Sequence, residues 1–425
     1  MPDRMAQPWR ARAGFTPFYL RSEFSTISAW DAKRISPKNQ WGQCPRVNKN
    51  MNKDTIQVYG FGTQAKDKDL IPVVFNRKKV GKGEVAFKVT HCGVCHSDLH
   101  QVRNDWGNAQ YPCVPGHEVV GTVTAIGEGV SKVKVGDIVG VGCMVDSCQE
   151  CDYCEAGEEN YCQGEKGVTM TYNGPMNPDG TNTYGGYSTD LIAREEFILK
   201  VPSKIDPEYA GPIMCAGITV YSPMKHWDLK EGQTLGVAGI GGLGHMALQI
   251  GKALGAKVTA FTRDDTNKDE ILKMGADKVV VSTDDDQMKA VAGSLDMLIN
   301  TIPVPHDLAP YISLMKTDGK IIVVGNMVKF PEFSPASLVF SRITLAGSLI
   351  GGIRQTQEIL DLCAEKDIRP SIKIIDIQDI NTVFETLANG HSDGHFRHVI
   401  DMDTLRNHVA VQSDDATKIE DPVRA

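Results

Sequence analysis

The chain has no apolar run long enough to cross a bilayer, since a transmembrane helix needs about 20 predominantly apolar residues in succession. It also has no excess of positive charge: 45 Lys and Arg stand against 53 Asp and Glu, for a formal net charge of -8. Proteins that bind the phosphate backbone of nucleic acids rely on clustered Lys and Arg. We therefore expect neither a membrane-spanning segment nor a nucleic-acid partner.

The cysteines do not suit a disulfide framework. Their number, 11, is odd, and most of them crowd between residues 92 and 162. In a chain of this size, such crowding favours metal ligation in a reducing compartment over disulfide pairing. A cytoplasmic protein is predicted.

Length and composition indicate a globular protein with more than one domain. The chain has 425 residues, of which 41% are hydrophobic and 23% charged, which is ordinary for globular folds but long for a single core. Residues 1–50 differ, because they are rich in Arg and poor in acids. Their composition resembles an organellar transit segment, so organellar import stays open; a disordered extension, or translated sequence upstream of a true start at Met51, is the alternative. Residues 411–425 are expected to form a disordered tail.

From Thr55 onward, apolar and polar residues alternate. The stretches TIQVYGF and EVAFKVTH show this pattern, and HEVVGTVTAIG and DIVGVG follow with glycine-rich turns between them. Alternation of this kind indicates half-buried strands. An irregular all-β domain is predicted.

The pattern changes around Thr234, where a strand (TLGVA) is followed by GIGGLG, a helix (HMALQIGKALG) and a second strand (KVTAFTR). A glycine-rich loop between strand and helix lets the pyrophosphate of a dinucleotide approach the helix N-terminus. A glycine-rich turn without a ligand is the alternative. Later apolar stretches, GADKVVV, LDMLINTI and GKIIVVG, predict a parallel sheet buried on both faces. The predicted cofactor loop contains Gly239, Gly241, Gly242 and Gly244.

The end of the second strand indicates which nicotinamide cofactor fits. NAD enzymes usually place an acidic residue there, roughly 20 residues beyond the first glycine, to bind the ribose hydroxyls. Here Thr262 and Arg263 occupy this position, and a guanidinium suits a 2′-phosphate. NADP(H) is therefore predicted, with Lys268 as a further contact or a solvated residue. Asp264 and Asp265 follow directly and would repel a phosphate if they pointed inward.

Two groups of sulfur and nitrogen donors predict metal ions. In CGVCHSD and GHEVV, Cys95 and His117 offer a thiolate and an imidazole, and Asp98 and Glu118 add carboxylates. This mixture fits zinc, and a catalytic zinc ion typically has three protein ligands and one open position. We predict Cys215, in PIMCAGITVYS, as the third ligand.

The second group of donors lies in SCQECDYCEAGEENYC. The short spacings let successive thiolates converge on one tetrahedral ion, and four thiolates leave no open position. A structural zinc site is predicted, and ligand type alone leaves an iron–sulfur cluster as the alternative. Its ligands are Cys148, Cys151, Cys154 and Cys162.

These motifs resemble those of the zinc-dependent medium-chain alcohol dehydrogenases, and within them the cinnamyl alcohol dehydrogenase branch with its bacterial aldehyde-reductase relatives. The resemblance covers about residues 51–401 and is carried by CGVCHSDLH, YPCVPGHEVVG, GVGCMVDSCQECDYC, CAGITVYSP, GIGGLGHM and FRHVID. It implies an α/β fold in which a Rossmann doubly wound parallel sheet is inserted in a GroES-like irregular β catalytic domain. The implied domains are 51–205 (catalytic, first part), 206–350 (NADP-binding) and 351–410 (return to the catalytic domain).

The resemblance also implies roles for single residues. Cys95, His117 and Cys215 match the ligands of the catalytic zinc ion, Glu118 matches a carboxylate that exchanges with water at the metal, and Asp98 matches the residue that orients the ligand histidine. The cysteines of the second group match the structural zinc ligands.

Three further matches concern proton transfer and the cofactor. Ser97 occupies the hydroxyl position that begins the family's proton relay, and His100 the position that passes the proton outward through the cofactor ribose. Arg397, in FRHVID, matches an arginine near the cofactor phosphates, with a solvated charge as the alternative. Thr262 and Arg263 fall where the branch contacts the 2′-phosphate.

The substrate pocket departs from the lignin-type members of the branch. Met170 stands where they typically carry an aromatic residue, Leu349 where they usually carry Phe, and Trp106 where an aliphatic residue is frequent. Near the ribose, Asp264 replaces a small hydroxyl residue and Asn267 replaces a common Lys. A reshaped pocket is implied.

The predicted function is reversible hydride transfer between NADP(H) and a primary alcohol or aldehyde, cinnamyl-type or broad-range, with two zinc ions per chain. The alternatives are an NAD-linked polyol or other alcohol dehydrogenase of the same fold, and a non-catalytic relative that binds zinc and nucleotide. A zinc-finger-like nucleic-acid binder is disfavoured by the acidic charge. The resemblance implies a homodimer joined through edge strands of the nucleotide domain, with ITLAGSLI as the candidate strand.

Overall fold

The computed structural model describes residues 55–165, 167–173, 182–325, 330–389, 397–412 and 416–419. The extension predicted over residues 1–50 lies outside the described residues, as does most of the tail predicted to be disordered over residues 411–425. The prediction is wrong for Thr417 and Lys418, which form a strand that pairs with Val73 and Val74, and Ile419 is buried beside it. In the described part of the chain, no helix is both long and apolar enough to cross a membrane.

The strands of this part of the chain are β1 (Thr55–Gly62), β2 (Ile71–Lys78), β3 (Glu84–Gly93), β4 (Val119–Ile126), β5 (Ile138–Val141), β6 (Met144–Asp146), β7 (Thr169–Met170), β8 (Asp190–Arg194), β9 (Leu199–Lys200), β10 (Thr234–Ala238), β11 (Lys257–Thr262), β12 (Lys278–Val281), β13 (Leu295–Asn300), β14 (Met315–Val323), β15 (Thr344–Gly347), β16 (Ile372–Asp376), β17 (Arg397–Asp401) and β18 (Thr417–Lys418).

The α-helices are α1 (His96–Val102), α2 (Asp152–Glu155), α3 (Pro207–Pro212), α4 (Ile218–His226), α5 (Gly244–Ala253), α6 (Lys268–Lys273), α7 (Asp285–Lys289), α8 (Ala309–Ile312), α9 (Ala336–Ser341), α10 (Ile353–Lys366), α11 (Ile380–Ala388) and α12 (Asp403–Gln412). A π-helical turn, Ile213–Gly217, joins α3 to α4. Short 3₁₀ turns span Glu159–Tyr161, Glu195–Phe197 and Ile377–Asp379.

The strands of the predicted all-β region form a mixed sheet with the order β16-β17-β3-β4-β5-β9, and β8 also pairs with β3. Strand β3 is antiparallel to β4, β8 and β17. Its alternate residues Val85, Phe87 and Val89 are fully buried in the core of this sheet, as the alternating pattern predicted. The other strands of this region form two separate sheets, the three-stranded β1-β2-β18 and the two-stranded β6-β7.

The second large sheet is entirely parallel and has the strand order β12-β11-β10-β13-β14-β15. This is the order of a doubly wound nucleotide-binding sheet, in which the ligand crevice opens where the strand order reverses. Here the reversal falls between β10 and β13. Interior residues such as Leu235, Val237 and Ile299 are fully buried, which explains why these strands read as apolar runs.

The parallel sheet is inserted in the sequence between β9 and β16 of the mixed sheet. The predicted fold class, a Rossmann sheet inserted in a GroES-like β domain, is therefore confirmed. One compact unit therefore contains both the crevice of the parallel sheet and three parts of the mixed-sheet region. These parts are the ends of β3 and β17 and the stretch before β4. The boundaries of the predicted domains stay a prediction.

Candidate active site

Four residues from three separate parts of the chain converge on one buried point. The ligand atoms of Cys95, His117, Glu118 and Cys215 all lie within 4.8 Å of one another. The sulfur atoms of Cys95 and Cys215 are 3.9 Å apart, and Nε2 of His117 lies 3.2 Å from the Cys215 sulfur. Two sulfurs bound to one tetrahedral zinc ion at about 2.3 Å lie about 3.8 Å apart. The donor set therefore fits a zinc ion.

Local backbone structure aims the two thiols at this point. Cys95 is the N-cap of α1, so its side chain projects from the start of the helix. Cys215 lies in the π-helical turn between α3 and α4, and single π-turns are frequent at functional sites because they displace one residue from the regular helix surface.

The carboxylate of Asp98 is fully buried and accepts hydrogen bonds from the elements that carry the ligands. Oδ2 accepts from the backbone N–H of Cys95 at 2.8 Å, and Oδ1 accepts from that of Gly116 at 3.1 Å. Oδ1 also lies 3.1 Å from Nδ1 of His117. A histidine that donates from Nδ1 has its Nε2 lone pair free for a metal. The geometry fits the orienting role that the resemblance implied for Asp98.

Glu118 is fully buried, and Arg397, only 4% exposed, forms a forked ion pair with it. Nε of Arg397 donates to Oε2 at 3.2 Å, and Nη2 donates to Oε1 and lies 3.6 Å from the Cys215 sulfur. The missing side chain at Gly93 makes room for this pair, since a methyl group there would lie 1.9 Å from Oε2 of Glu118.

Arg397 also contacts the glycine loop. A methyl group at Gly242 would lie 2.6 Å from Nη1 of Arg397. One guanidinium therefore lies between the metal-ligand group and the predicted pyrophosphate site. The family resemblance implied a position for Arg397 near the cofactor phosphates, which stays a prediction. Neither local sequence pattern indicates the ion pair of Arg397 with Glu118.

The charges around the cluster favour a thiolate. A hydrogen bond with Cys215 and the positive charge of Arg397 outweigh burial and hold the pKa of the Cys95 thiol well below its usual range. Burial lowers the pKa of His117, but the neighbouring Asp98 carboxylate outweighs it and the net shift is upward. A thiol must lose its proton to bind a metal, and Cys95 is the sulfur whose negative charge these neighbours favour. Hydrogen bonds with Cys143 and Cys95, together with burial, raise the pKa of Cys215 instead.

The predicted relay residues lie on α1. Ser97 is half-buried in the first turn and His100 lies one turn later, at a spacing that places both on one face of the helix. Nδ1 of His100 is 2.8 Å from Oδ2 of Asp105, and its ring centroid is 5.6 Å from that of Trp106. Sequence reasoning missed Asp105, whose only signal is a carboxylate in the loop after the helix.

Of the predicted pocket residues, the structure brings Met170 to the metal-ligand group but not Leu349 or Trp106. Met170 and Ile350 pack against three neighbouring sulfurs, those of Cys95, Cys143 and Cys215. Leu349 is 41% exposed, and Trp106 lies against His100. Ile350 and Cys143 were missed, since sequence cannot tell which of two adjacent residues, or which of many cysteines, turns inward.

The second group, Cys148, Cys151, Cys154 and Cys162, also converges within 4.8 Å. The sulfurs of Cys148 and Cys154 are 3.8 Å apart, and backbone N–H groups of Cys148 and Gly164 donate to the Cys162 sulfur at 3.4 Å. Backbone N–H groups of Cys154 and Gln163 lower the pKa of Cys151 to about 6. Four such sulfurs fit a tetrahedral structural ion.

The glycine loop follows β10 and opens at the switch point of the parallel sheet. Gly239 has φ of +85°, and its carbonyl accepts a hydrogen bond from Oγ1 of Thr301 at 2.6 Å. A methyl group at Gly244 would lie 2.0 Å from the Gly239 carbonyl oxygen, so the start of α5 packs directly on the first residue of the loop. Among the described residues, no atom lies within 4 Å of a methyl group placed on Gly241. This open cradle fits a pyrophosphate.

Thr262 ends β11 and Arg263 follows as an exposed residue. Oδ1 of Asp264 accepts from the backbone N–H of Thr266 at 3.1 Å. Hydrogen bonds with the side chain and the backbone of Thr266 lower the pKa of Asp264. The carboxylate of Asp264 is thus directed into its own turn. Lys268 begins α6 and is exposed.

Comparison with protein-family models agrees with this geometry. Residues 81–203 match the model described as "Alcohol dehydrogenase GroES-like domain", and residues 242–365 match the model described as "Zinc-binding dehydrogenase". The first match contains the four cysteines of the structural group, and the second begins inside the glycine loop.

Relatives and solved structures extend the agreement to nearly the whole length of the matched proteins. The chain is 46% identical over 346 residues to a "Probable mannitol dehydrogenase" of Mesembryanthemum crystallinum, covering 80% of this chain and 94% of that one. It superposes on a cinnamyl alcohol dehydrogenase of Sorghum bicolor with a TM-score of 0.78 at 39% identity, covering 82% and 98% of the two chains. For the "CAD from Helicobacter pylori complexed with NADP(H)", the TM-score is 0.76 at 36% identity, with 82% and 99% covered.

Replacing Asp98 by Asn should weaken metal binding at the group formed by Cys95, His117 and Cys215 but not at the group of four cysteines. An amide cannot accept from the Cys95 N–H, the Gly116 N–H and His117 together as the carboxylate does, and loss of such an outer partner typically lowers metal affinity about 10- to 100-fold. Metal counting during titration with a chelator should show one ion released early and the other retained. The exposed Asp69→Asn variant serves as the control. If the Asp98→Asn variant released its metal in the same way as the wild type, the assignment would be contradicted.

Proposed function

Since the chain belongs to the zinc-binding alcohol dehydrogenase family, we propose that it transfers hydride between NADP(H) and a primary alcohol or aldehyde at the group formed by Cys95, His117 and Cys215. The observation that supports this most directly is the position of Arg397. It contacts Glu118 at the metal-ligand group and approaches Gly242 in the glycine loop. A metal-bound substrate and a nicotinamide in the switch-point crevice would therefore be neighbours.

Cys95, His117 and Cys215 would hold a zinc ion, which would supply a Lewis acid, and NADP(H) bound at the glycine loop would supply or accept the hydride. Asp98 keeps Nε2 of His117 directed at the ion, and the two thiolates offset its charge. Ser97 accepts the proton of the alcohol and His100 carries it outward, while Asp105 orients the His100 ring. In the direction of aldehyde reduction, the proton moves along the same residues in reverse.

The other metal and cofactor assignments follow the same reasoning. We infer a second, structural zinc ion at Cys148, Cys151, Cys154 and Cys162. We also infer that Glu118 is an alternate ligand of the first ion, and that its ion pair with Arg397 keeps it away from that ion in the state seen here. Arg263 at the end of β11, with Asp264 turned toward Thr266, supports NADP(H) over NAD(H). Arg397 and Lys268 are further candidate phosphate contacts.

The oligomeric state is proposed from the open edge of the parallel sheet. Strand β15 pairs only with β14 among the described residues. Beside it, α9 exposes Val339 and Phe340, which are 75% and 87% accessible. An open strand edge next to exposed apolar side chains favours pairing with another copy, so we infer a homodimer through β15.

An aldehyde and alcohol panel assayed with NADPH and NADH in parallel tests the function. We expect turnover of aldehydes with a preference for NADPH. Arg263→Ala should raise KM for NADPH while changing that for NADH little, because the guanidinium meets only the 2′-phosphate. A preference for NADH with turnover of polyols would instead favour the polyol dehydrogenase that the name of the Mesembryanthemum relative suggests.

Removing the hydroxyl of Ser97 tests the relay. Ser97→Ala should lower kcat by about 100-fold or more, the range typical of general acid–base steps, while zinc content and NADPH binding stay as in the wild type. Ser97→Thr keeps the hydroxyl and should restore most of the turnover. Unchanged kcat in Ser97→Ala would remove Ser97 from the mechanism.

A charge at the open edge tests the dimer. Phe340→Asp should convert the dimer to a monomer in light scattering, because a carboxylate buried without a partner is costly. Val135→Asp, at a similarly exposed valine of the mixed-sheet region, should leave the mass unchanged. A monomeric wild type, or a Phe340→Asp variant that stays dimeric, would exclude this interface.

A further inference from the structure

The loop that carries the four cysteines is joined closely to a segment at the edge of the active site. We call residues 148–162 the cysteine lobe and residues 349–354 the wall segment. Four hydrogen bonds connect them: Asn160 Nδ2 to the Leu349 carbonyl at 2.7 Å, the Leu349 N–H to the Tyr161 hydroxyl at 3.0 Å, the Ile353 N–H to Glu159 Oε2 at 2.9 Å, and Arg354 Nη2 to the Ala156 carbonyl at 2.7 Å.

The two backbones also touch. A methyl group at Gly352 would lie 1.8 Å from the carbonyl oxygen of Gly157. No side chain fits between lobe and wall at this point, so the lobe cannot move toward the wall segment without displacing it.

The wall segment reaches the metal-ligand group through Ile350, whose side chain packs against the sulfur cluster. Its backbone φ is +38°. A β-branched residue in the left-handed region is strained, and such a conformation persists only where the surroundings hold it in place. The cysteine lobe holds the backbone on both sides of Ile350, at Leu349 and at Ile353.

The bracing side chains are themselves buried. Glu159 and Asn160 lie inside the structure, and Oδ1 of Asn160 has no hydrogen-bond partner among the described residues. A buried polar atom without a partner lowers stability. The bond from Nδ2 to the Leu349 carbonyl therefore fixes the orientation of the buried Asn160 amide.

We propose that the cysteine lobe shapes the substrate pocket: Glu159, Asn160 and Tyr161 are positioning residues that hold Ile350 in its strained conformation against the metal-binding sulfurs. Ile350 then limits the space for the carbon chain of the substrate. The lobe thereby acts on substrate selectivity in addition to stability. The inference builds on the proposed aldehyde reductase function.

The test compares a long and a short aldehyde. Tyr161→Phe removes only the hydroxyl that binds the Leu349 N–H, so Ile350 is held less firmly and limits the pocket less. The ratio of kcat/KM for cinnamaldehyde to that for propanal should therefore rise about 2- to 10-fold, as expected for one hydrogen bond, mainly through KM. A purely structural role would lower the active fraction and change both substrates equally. Tyr153→Phe, on the same lobe with its ring 6.3 Å from that of Tyr161, makes none of the four bonds and should leave the ratio unchanged.

A double-mutant cycle tests whether Tyr161 acts through Ile350. Glycine adopts φ of +38° without strain, so Ile350→Gly should melt at a higher temperature than Ile350→Ala, and the effect of Tyr161→Phe should vanish in the Ile350→Gly background. The proposal is overturned by an unchanged substrate ratio in Tyr161→Phe, by an equal change in Tyr153→Phe, or by a full effect of Tyr161→Phe beside Ile350→Gly.

A readout without catalysis separates this proposal from the proposed function. Hydrogen exchange of a peptide spanning residues 349–354 should be faster in Tyr161→Phe than in Tyr153→Phe, whether or not aldehydes are turned over. If the wild type reduces neither aldehyde, the proposed function fails, while equal exchange rates in the two variants would refute the bracing.

Discussion

The hydrogen bonds accepted by the buried carboxylate of Asp98 hold the candidate active site together. They come from the Cys95 N–H, the Gly116 N–H and His117, and the hydroxyl of Tyr187 adds a fourth at 3.3 Å. A buried carboxylate is stable only when such donors satisfy it. Because these donors belong to different stretches of the chain, satisfying Asp98 brings a thiol and an imidazole to the same point.

Glycines determine how closely the neighbouring parts approach that point. Gly93 leaves the space in which Glu118 meets Arg397, and Gly242 lets the same guanidinium approach the cofactor loop. A buried charged pair is costly unless its hydrogen bonds are nearly complete, and the forked geometry meets that condition. Arg397 thus spans the space between the metal-ligand group and the glycine loop.

The cysteine lobe extends the same principle to the outer wall of the pocket. Ile350 occupies a backbone conformation that it would not adopt alone, and the lobe holds the residues on either side of it. The two cysteine-containing groups are separate in the sequence but are connected through Ile350. The cysteine lobe binds the residues on either side of Ile350, and the Ile350 side chain packs against the cysteines of the metal-ligand group.

Ligand chemistry and local spacing were readable from the sequence, because they depend on residue type and on neighbours a few positions away. The converging cysteines, the glycine loop after β10 and the strands seen as alternating or apolar stretches were all predicted in this way, and the fold class and family are confirmed. The sequence did not predict which residues would contact Asp105, Cys143, Arg397 and Ile350. Contacts between residues such as Asn160 and Leu349 arise only when distant segments pack together, and that packing is decided by the whole core, which no local pattern encodes.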